Sequence, residues 1–490
     1  MSRANSFLWI VGMAALFVVP AFAQPDLDPN NTASEFKVYS PESQGLTPLS
    51  QAIDVDAEYP VEDTQESVGV LITSDEKVVF ALDYNPGILW YDINMNRLQW
   101  PRDFEGNNMS AFYDDNGNPL PDGGFWGAKV KSNAYGPGFG LGGACNFGPE
   151  SDVQIASLFD ACVMGEIPCV QLYNNDGTPI VPVKCGISET LAKDYEGDVR
   201  IGDWDYLSNG NIVIAAECRK ALANSEVFGI AQSRVVTYGI LAPGEQFPSV
   251  FARVSDYSQG NQEMWHGVAS TKNGFAVRYS AGGAKITFFN NDGTRRSPEV
   301  DLTSLGTGAM AGVLAGGRGD HEGWHSDGVS RYILVSENGN LFSTLHPFVA
   351  IFDEDGNLIK GPFGVATGPD GYYYTTCDRN DCALHPSGKY IVVWIETDYL
   401  QLSSGGILLG RIFNEDGTPA TKMFVIDNAT NPDAPDSQPG LSRRPRVVWR
   451  GNKIAVVWVS TNRDEAGIQR VSGRTFQYGE ETGIENYMIY

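Results

Sequence analysis

Short apolar runs, each preceded by glycine or a polar turn, recur along most of the chain. They alternate with polar residues or form brief continuous stretches, and no long segment repeats its apolar positions every 3.6 residues. Runs of this length bounded by turn residues predict β-strands. The composition agrees, with 55 Gly, 27 Pro and 11% aromatic residues. The sequence therefore predicts an all-β fold, with the clearest strands at 211–215, 275–279, 332–335, 390–394 and 454–458.

A turn motif repeats along the chain: an aromatic residue leads into Asn- and Asp-rich residues and then glycine. Asn and Asp bond back to the local backbone, and glycine accepts a positive φ, so each copy predicts a tight hairpin. Five copies have gaps of 60, 116, 63 and 61 residues, and the long gap predicts a degenerate copy near Gly239. A further weak copy near Gly479 makes seven units of about sixty residues. The five clear glycines are Gly117, Gly177, Gly293, Gly356 and Gly417.

Seven such units predict a seven-bladed β-propeller, because a four-stranded blade buries its faces only against neighbouring blades. The alternative is an open array of sandwich domains, but those need about 100 residues each. We expect the ring to be fastened by a C-terminal strand within 487–490 beside an N-terminal strand such as 36–39.

The N-terminal segment divides into two predicted parts. Arg3, an apolar run from Phe7 to Val19 and Ala21-Phe22-Ala23 predict a signal peptide over 1–23. The alternative, an uncleaved anchor, needs roughly twenty apolar residues. Residues 24–67 are predicted to be an extended acidic leader, and 68–490 to be the propeller. The expected location is secreted or on the cell surface, or periplasmic in a Gram-negative host.

Charge and cysteine content narrow the possible partners. A formal charge of −26 disfavours nucleic acid and anionic membranes, and no later segment is apolar enough to span a bilayer. Seven cysteines in an exported chain predict disulfides. Cys377 and Cys382 are the expected pair. Cys218 is expected to be the free thiol, and the remaining four are expected to pair among themselves: Cys145, Cys162, Cys169 and Cys185.

The stretch from Gly388 to Phe476 contains GKYIVVW, GRIFNEDGTPATKMFVIDNAT and GNKIAVVWVS. It resembles the repeats of large secreted bacterial surface proteins, in which a VVW strand alternates with a GxxFxxDGxP hairpin. The resemblance covers two repeats and implies a propeller-like surface module. It implies no catalytic residues.

Two motifs are similar to known metal-binding motifs but do not meet their requirements. HEGWH, from His321 to His325, approaches a zinc-protease string, but that chemistry needs a helix, and the surrounding glycines disfavour one. The turn motifs lack the spacing of acidic residues that calcium loops require. Calcium at these turns stays an alternative to a plain turn.

A stronger candidate comes from the repeat spacing. Trp204-Asp205, Trp265-His266 and Trp324-His325 lie about one repeat apart, just before strands expected to begin at the channel mouth. We expect an arc of polar side chains there to bind a ligand, with His266 and His325 able to hold a divalent metal. The alternative is that each Trp packs between blades and its neighbour starts a solvated strand. The candidate residues are Asp203, Asp205, Glu263, His266, Glu322, His325, Arg379, Asp381, Arg444 and Arg446.

These observations predict an exported, non-catalytic propeller that binds an extracellular glycan, surface polymer or protein. The alternative is a metal-assisted hydrolase or lyase that uses the His and carboxylate arc. A purely structural surface component is the third hypothesis. The sequence requires no cofactor. A divalent metal or calcium is the alternative.

Overall fold

The computed structural model describes the greater part of the strands and their short turns. The ranges are 39–55, 68–82, 88–98, 129–145, 167–187, 199–219, 234–255, 264–281, 283–302, 323–337, 347–365, 380–396, 407–428, 443–461 and 469–479. Residues 1–38 lie outside them, so the signal peptide stays a prediction. No helix within these ranges is long and apolar enough to cross a membrane.

The chain forms seven antiparallel sheets arranged as a seven-bladed β-propeller, which confirms the predicted fold class. Blade 1 is β3(Val68–Ile72), β4(Lys77–Leu82) and β5(Ile88–Asp92). Blade 2 is β6(Lys129–Ser132), β7(Phe139–Cys145), β8(Ile167–Tyr173) and β9(Pro179–Cys185). Blade 3 is β10(Val199–Tyr206), β11(Ile212–Arg219), β12(Arg234–Leu241) and β13(Val250–Arg253). Blade 4 is β14(Met264–Thr271), β15(Gly274–Ser280), β16(Ala284–Asn290) and β17(Val300–Asp301).

The second half of the ring follows the same plan. Blade 5 is β18(Gly323–Ser326), β19(Arg331–Glu337), β20(Pro347–Asp353) and β21(Leu358–Gly364). Blade 6 is β22(Asn380–Leu384), β23(Tyr390–Glu396), β24(Ile407–Phe413) and β25(Phe424–Asn428). Blade 7 is β26(Arg443–Arg450), β27(Lys453–Thr461) and β28(Gln469–Tyr478), and the N-terminal segment completes it.

The ring is closed by strands near the N-terminus. β1(Leu46–Pro48) and β2(Ile53–Asp54) both pair antiparallel with β28, so they form the outer edge of blade 7. A short 3-10 helix, Glu42–Gln44, precedes β1. Fastening the ring across the two ends of the chain was expected; of the strands predicted for it, 487–490 and all of 36–39 except Tyr39 lie outside the described residues. Part of the segment assigned to an extended leader is therefore a strand of the propeller.

The hydrophobic core lies between the blades. Each of six buried clusters joins two neighbouring sheets, as where Ile333 and Val349 of blade 5 pack with Val392 and Trp394 of blade 6. Blade 7 is joined in the same way to blade 6 and to blade 1. Burial of apolar surface between radial sheets is what holds such a ring together.

The repeated turn joins the third and fourth strands of a blade. At Phe352-Asp353-Glu354-Asp355-Gly356, Asp353 Oδ1 accepts hydrogen bonds from the backbone N–H groups of Asp355 and Asn357. Gly356 has a φ of 82°, which favours glycine. The turn is thus satisfied by its own side chains, which explains the motif without a bound ion.

The second residue after the aromatic links each turn to the preceding blade. Asn175 Nδ2 donates to Ser74 Oγ, Asn291 Nδ2 to Ser208 Oγ, and Glu415 accepts from Arg331. In blade 5 the equivalent Glu354 is nearly buried and accepts from Thr271 Oγ1 at 2.5 Å and from Asn273. The repeat therefore encodes contacts between blades as well as a turn.

One of the predicted repeat positions, Gly239, is wrong, and another, Gly117, is not tested. In blade 1 the turn is Asp92-Ile93-Asn94-Met95-Asn96, in which Asp92 accepts the same two N–H bonds and Met95 takes the positive φ of 64°. Gly117 lies outside the described residues. In blade 3, Gly239 is inside β12, and the turn falls at 242–249.

The cysteines differ from the predicted pairing. Cys382 is a buried thiol in β22, and its expected partner Cys377 lies outside the described residues, so the predicted Cys377–Cys382 disulfide is not seen. Cys169 is disulfide-bonded, whereas Cys185 and Cys218 are thiols. Burial raises the pKa of the Cys382 thiol well above its ordinary value, which disfavours the reactive thiolate.

Candidate functional site

The seven innermost strands form a closed ring around the axis. They are β3, β6, β10, β14, β18, β22 and β26; each contacts the next, and β26 contacts β3. One edge of each innermost strand has no sheet partner and faces the channel. Its N–H and C=O groups must therefore be bonded by side chains or water.

Charged side chains of one blade bond these free edges in the next blade. Val268 N donates to Asp203 Oδ2 at 2.8 Å, and Val447 N donates to Asp381 Oδ2 at 2.9 Å. Ser270 N donates to Asp205 Oδ2 at 2.9 Å. These carboxylates therefore fasten neighbouring blades at the channel wall.

Strand register shows which positions are equivalent. Trp204 pairs with Ile214 and Trp324 with Leu334, each two residues before the innermost strand ends. Both indoles are buried against the preceding blade. Trp204 and Trp324 therefore pack between blades, as the alternative interpretation expected.

His325, Asp381 and Arg446 come together on the walls of blades 5, 6 and 7. His325 Nε2 lies 2.9 Å from Asp381 Oδ1, and the side chains are 35% and 2% exposed. Burial alone would raise the pKa of Asp381, but the His325 ring, the Arg446 guanidinium and the Val447 N–H together hold it below its ordinary value. Because the carboxylate is ionised, it accepts a hydrogen bond from His325 Nε2–H. In the neutral imidazole, this bond makes Nδ1 the ring nitrogen without a proton.

Lys131, Asp203 and Asp205 form a second cluster on blades 2 and 3. Lys131 Nζ lies 3.6 Å from Asp203 Oδ2 and 3.6 Å from Asp205 Oδ2, and it donates to Val268 O at 2.6 Å. Burial opposes a charged Lys131, but the two carboxylates outweigh it and raise its pKa. Burial raises the pKa of Asp205, with Asp203 adding to this and Lys131 opposing it.

The two clusters have the same plan. In each, a basic side chain contacts an aspartate of the next blade, and that aspartate accepts the backbone N–H of the blade after it, 65 or 66 residues further along the chain. They differ in the basic residue. Lys131 has no unprotonated nitrogen at neutral pH, whereas a neutral imidazole carries one ring nitrogen without a proton. Only the histidine copy is suited to proton transfer.

The other predicted site residues stay predictions, because the structure does not describe their side chains. Glu263, Glu322 and Arg379 lie outside the described residues, as do the side chains of His266 and Arg444. In β14, Val268 pairs with Val277 as Trp204 pairs with Ile214 in β10, and each follows a register shift in its strand, so Val268, not Trp265, matches Trp204. The expected equivalence of His266 with His325 is therefore wrong by three residues. Within the described ranges, no three His, Cys, Asp or Glu side chains are grouped to hold a metal.

Sequence reasoning missed Lys131, which completes the second cluster. It lies in the alternating strand Lys129-Val130-Lys131-Ser132, ahead of a glycine-rich turn. Blade 2 has Val130 where blades 3 and 5 have tryptophan, so the tryptophan-containing pairs do not point to Lys131. Its strand register, one residue before the end of β6, is the signal that matches it to His325.

Comparison with known proteins gives a distant structural likeness. No protein-family model matches the chain. No curated protein matches it either. The Hadza microbial sialidase Hz136 matches 82% of this chain and 72% of its own, at 9% identity and a TM-score of 0.40. Trypanosoma rangeli sialidase in complex with sialic acid matches 75% of this chain and 56% of its own, at 10% identity and a TM-score of 0.39. The GH62 α-L-arabinofuranosidase catalytic domain of Coprinopsis cinerea matches 55% of this chain and 88% of its own, at 8% identity and a TM-score of 0.28.

These structures are named as glycosidases, that is, as enzymes. This finding overturns the expectation of a non-catalytic binding module, and we do not retain it. The likeness assigns no residue role to this chain, because identity and TM-score are low. The particular surface-protein repeat family suggested by the VVW and DG motifs is not matched by a family model, and only the seven-bladed propeller is shown.

Proposed function

We propose that this protein is a glycan hydrolase in which His325 is the general base and Asp381 orients it. One observation carries the proposal: a partly exposed histidine on the channel wall donates Nε2–H to a buried, ionised aspartate at 2.9 Å. A carboxylate in this position fixes the tautomer and orientation of an imidazole and stabilises its protonated form. We choose glycans as test substrates because the similar structures are named as glycosidases. The assays below decide whether this protein cleaves a glycan.

In the proposed step, His325 Nδ1 takes a proton from water while the water oxygen bonds to the anomeric carbon. The glycosidic bond breaks, the leaving oxygen takes up a proton from solvent, and the imidazolium returns its proton to solvent. Arg446 keeps Asp381 ionised, so the imidazolium formed at His325 is matched by a fixed negative charge. This assignment covers the base and its positioning residue.

The test measures release of sugar from a panel of nitrophenyl glycosides and polysaccharides. Replacing the base should lower kcat by about 10²- to 10⁴-fold, the usual contribution of general acid–base catalysis. His325→Gln therefore loses nearly all activity, and Asp381→Asn loses part of it. Asp203→Asn is the matched control, because Asp203 makes the same blade-to-blade bond beside Lys131 instead of a histidine. We expect its kcat to stay within about threefold of the wild type, since it contacts no proposed reacting group.

Two results would reject the proposal. Wild-type protein that cleaves no glycan of the panel excludes the hydrolase. Equal activity in the wild type and His325→Gln excludes the assigned base. A parallel loss in Asp381→Asn and Asp203→Asn would show that the loss reflects the weakened ring instead of catalysis.

A further inference from the structure

The turn between β6 and β7, residues 133–138, crosses the channel at the end where the innermost strands finish. We call it the blade 2 plug. Tyr135 Oη lies 3.3 Å from Ser270 Oγ of blade 4, and Ala134 lies beside Gly328 of blade 5. Blades 4 and 5 are not neighbours of blade 2. A turn that reaches both must therefore pass over the axis.

Other bonds between non-adjacent blades lie at the same end. Arg450 Nη1 of blade 7 donates to Ser132 Oγ of blade 2 at 2.9 Å. This hydrogen bond joins two blades that have blade 1 between them. Lys131 Nζ of blade 2 donates to Val268 O of blade 4. Burial raises the pKa of the Tyr135 phenol well above its ordinary value, as expected for a side chain held in packed surroundings. Groups of blades 2, 4, 5 and 7 therefore meet across this end of the channel.

The proposed base stands directly above these groups. Ser326 follows His325, and its Oγ donates to Ser270 O, the backbone of the residue that contacts Tyr135. One strand residue spans about 3.3 Å, so His325 lies within about one residue of this level. Asp381 and Arg446 lie on the same walls.

We infer that the blade 2 plug makes the channel a blind pocket, so that the His325 site takes the end of a glycan chain and not its interior. This inference rests on the proposed hydrolase function. A chain bound through its middle must leave a site in two directions, and the plug removes one of them. Hydrolysis of the terminal glycosidic bond, with one water consumed, is then the reaction of this site.

The experiment compares two forms of a linear oligosaccharide that carries the linkage cleaved in the panel. One form has free ends, and the other carries bulky groups on both ends. Wild-type protein should cleave the free form from its end, with a product of one fixed size from the first time points. It should cleave the capped form at least about a hundredfold more slowly, because a terminal residue that cannot enter forfeits the binding energy of the site.

A variant tests the plug itself. Residues 133–138 are replaced by Gly-Asn. This is the two-residue turn that joins β26 to β27 in blade 7, between Arg450 and Lys453. Ser132 and Phe139 are already register partners, so a two-residue hairpin connects them without moving either strand. In the folded variant, the hundredfold preference for free ends should fall to about tenfold or less.

The outcomes separate the two proposals. Rapid internal cleavage of the capped oligosaccharide by the wild type overturns the blind pocket and leaves the hydrolase standing. Absence of cleavage of either form, with no activity on nitrophenyl glycosides, rejects the hydrolase. An unchanged preference in a folded plug variant removes the plug as its cause, and if that variant does not fold, the wild-type comparison alone decides.

Discussion

Asp381 has a different partner for each carboxylate oxygen. Oδ1 accepts from His325 and Oδ2 accepts from the backbone of Val447. A single side chain therefore holds the proposed base and also joins two blades. Replacing it affects the rate and the stability of the ring together, and the Asp203 control is what separates the two effects.

The lowered pKa of Asp381 predicts how its contribution to stability changes with pH. An acid with a folded pKa below its unfolded value of about 3.9 stabilises the fold above that value and loses the contribution as pH falls through the folded pKa. Asp381→Asn should be less stable than the wild type by about 1–3 kcal/mol at pH 7. The difference should narrow as the pH falls from about 5 to 3.

Urea unfolding of both proteins across this range measures the difference directly. Other carboxylates titrate in both proteins and cancel. A difference that stays constant down to pH 3 would contradict the assigned ionisation of Asp381.

At the scale of the elements, the repeated turn offers a test of what its second residue does. Glu354 and Glu415 occupy equivalent positions in blades 5 and 6, but their side chains are 9% and 67% exposed. Glu354→Ala leaves the buried Thr271 hydroxyl without this acceptor and also removes the bond from Asn273 and the ion pair with Arg296, which costs about 2–3 kcal/mol. Glu415→Ala removes an exposed ion pair, which contributes below about 1 kcal/mol.

Thermal unfolding of the two variants under one set of conditions provides the comparison. Similar shifts in Tm would mean that burial of this turn residue does not govern its contribution. The reverse order would mean that the contacts of Glu354 are not formed.

The same turns show how far the sequence predicts the fold. The Asn, Asp and Gly pattern predicted the hairpins at Gly177, Gly293, Gly356 and Gly417 because their geometry is local. The turn of blade 1 was missed because Met95 adopts a positive φ and its buried side chain packs in the core, a tertiary effect that turn chemistry does not reveal.

The candidate site was predicted only in part, for a related reason. Asp381 and His325 were named from repeat spacing, but the blades differ in length, and this displaces His266 from the position of His325. Nor does it show that Lys131 reaches past blade 3. Side-chain contacts across a ring depend on register and on bulges, which residue counting does not reveal.

At the scale of the whole molecule, closure of the ring depends on β1. Leu46 is 1% exposed and packs with Ile412, Phe424 and Phe476 of blades 6 and 7. Leu46→Ala should destabilise the protein by about 2–5 kcal/mol, as expected for a large-to-small change in a packed core. Thr47→Ala, an exposed position in the same strand, should change stability by less than about 0.5 kcal/mol.

The two variants are compared by thermal unfolding with light scattering. Leu46→Ala should also scatter at a lower temperature, because loosening β1 exposes the edge of β28. Equal behaviour of the two variants would show that β1 does not fasten the ring.

This closure also sets an order of events during biosynthesis. Leu46 pairs with Tyr478, more than four hundred residues later in the chain. While the ribosome makes the blades between them, the first strand has no partner and the interfaces at both ends of the growing array stay uncovered. The native ring can therefore form only after nearly the whole chain has emerged, so that chaperones which hold the nascent chain have longest access to β1 and blade 1.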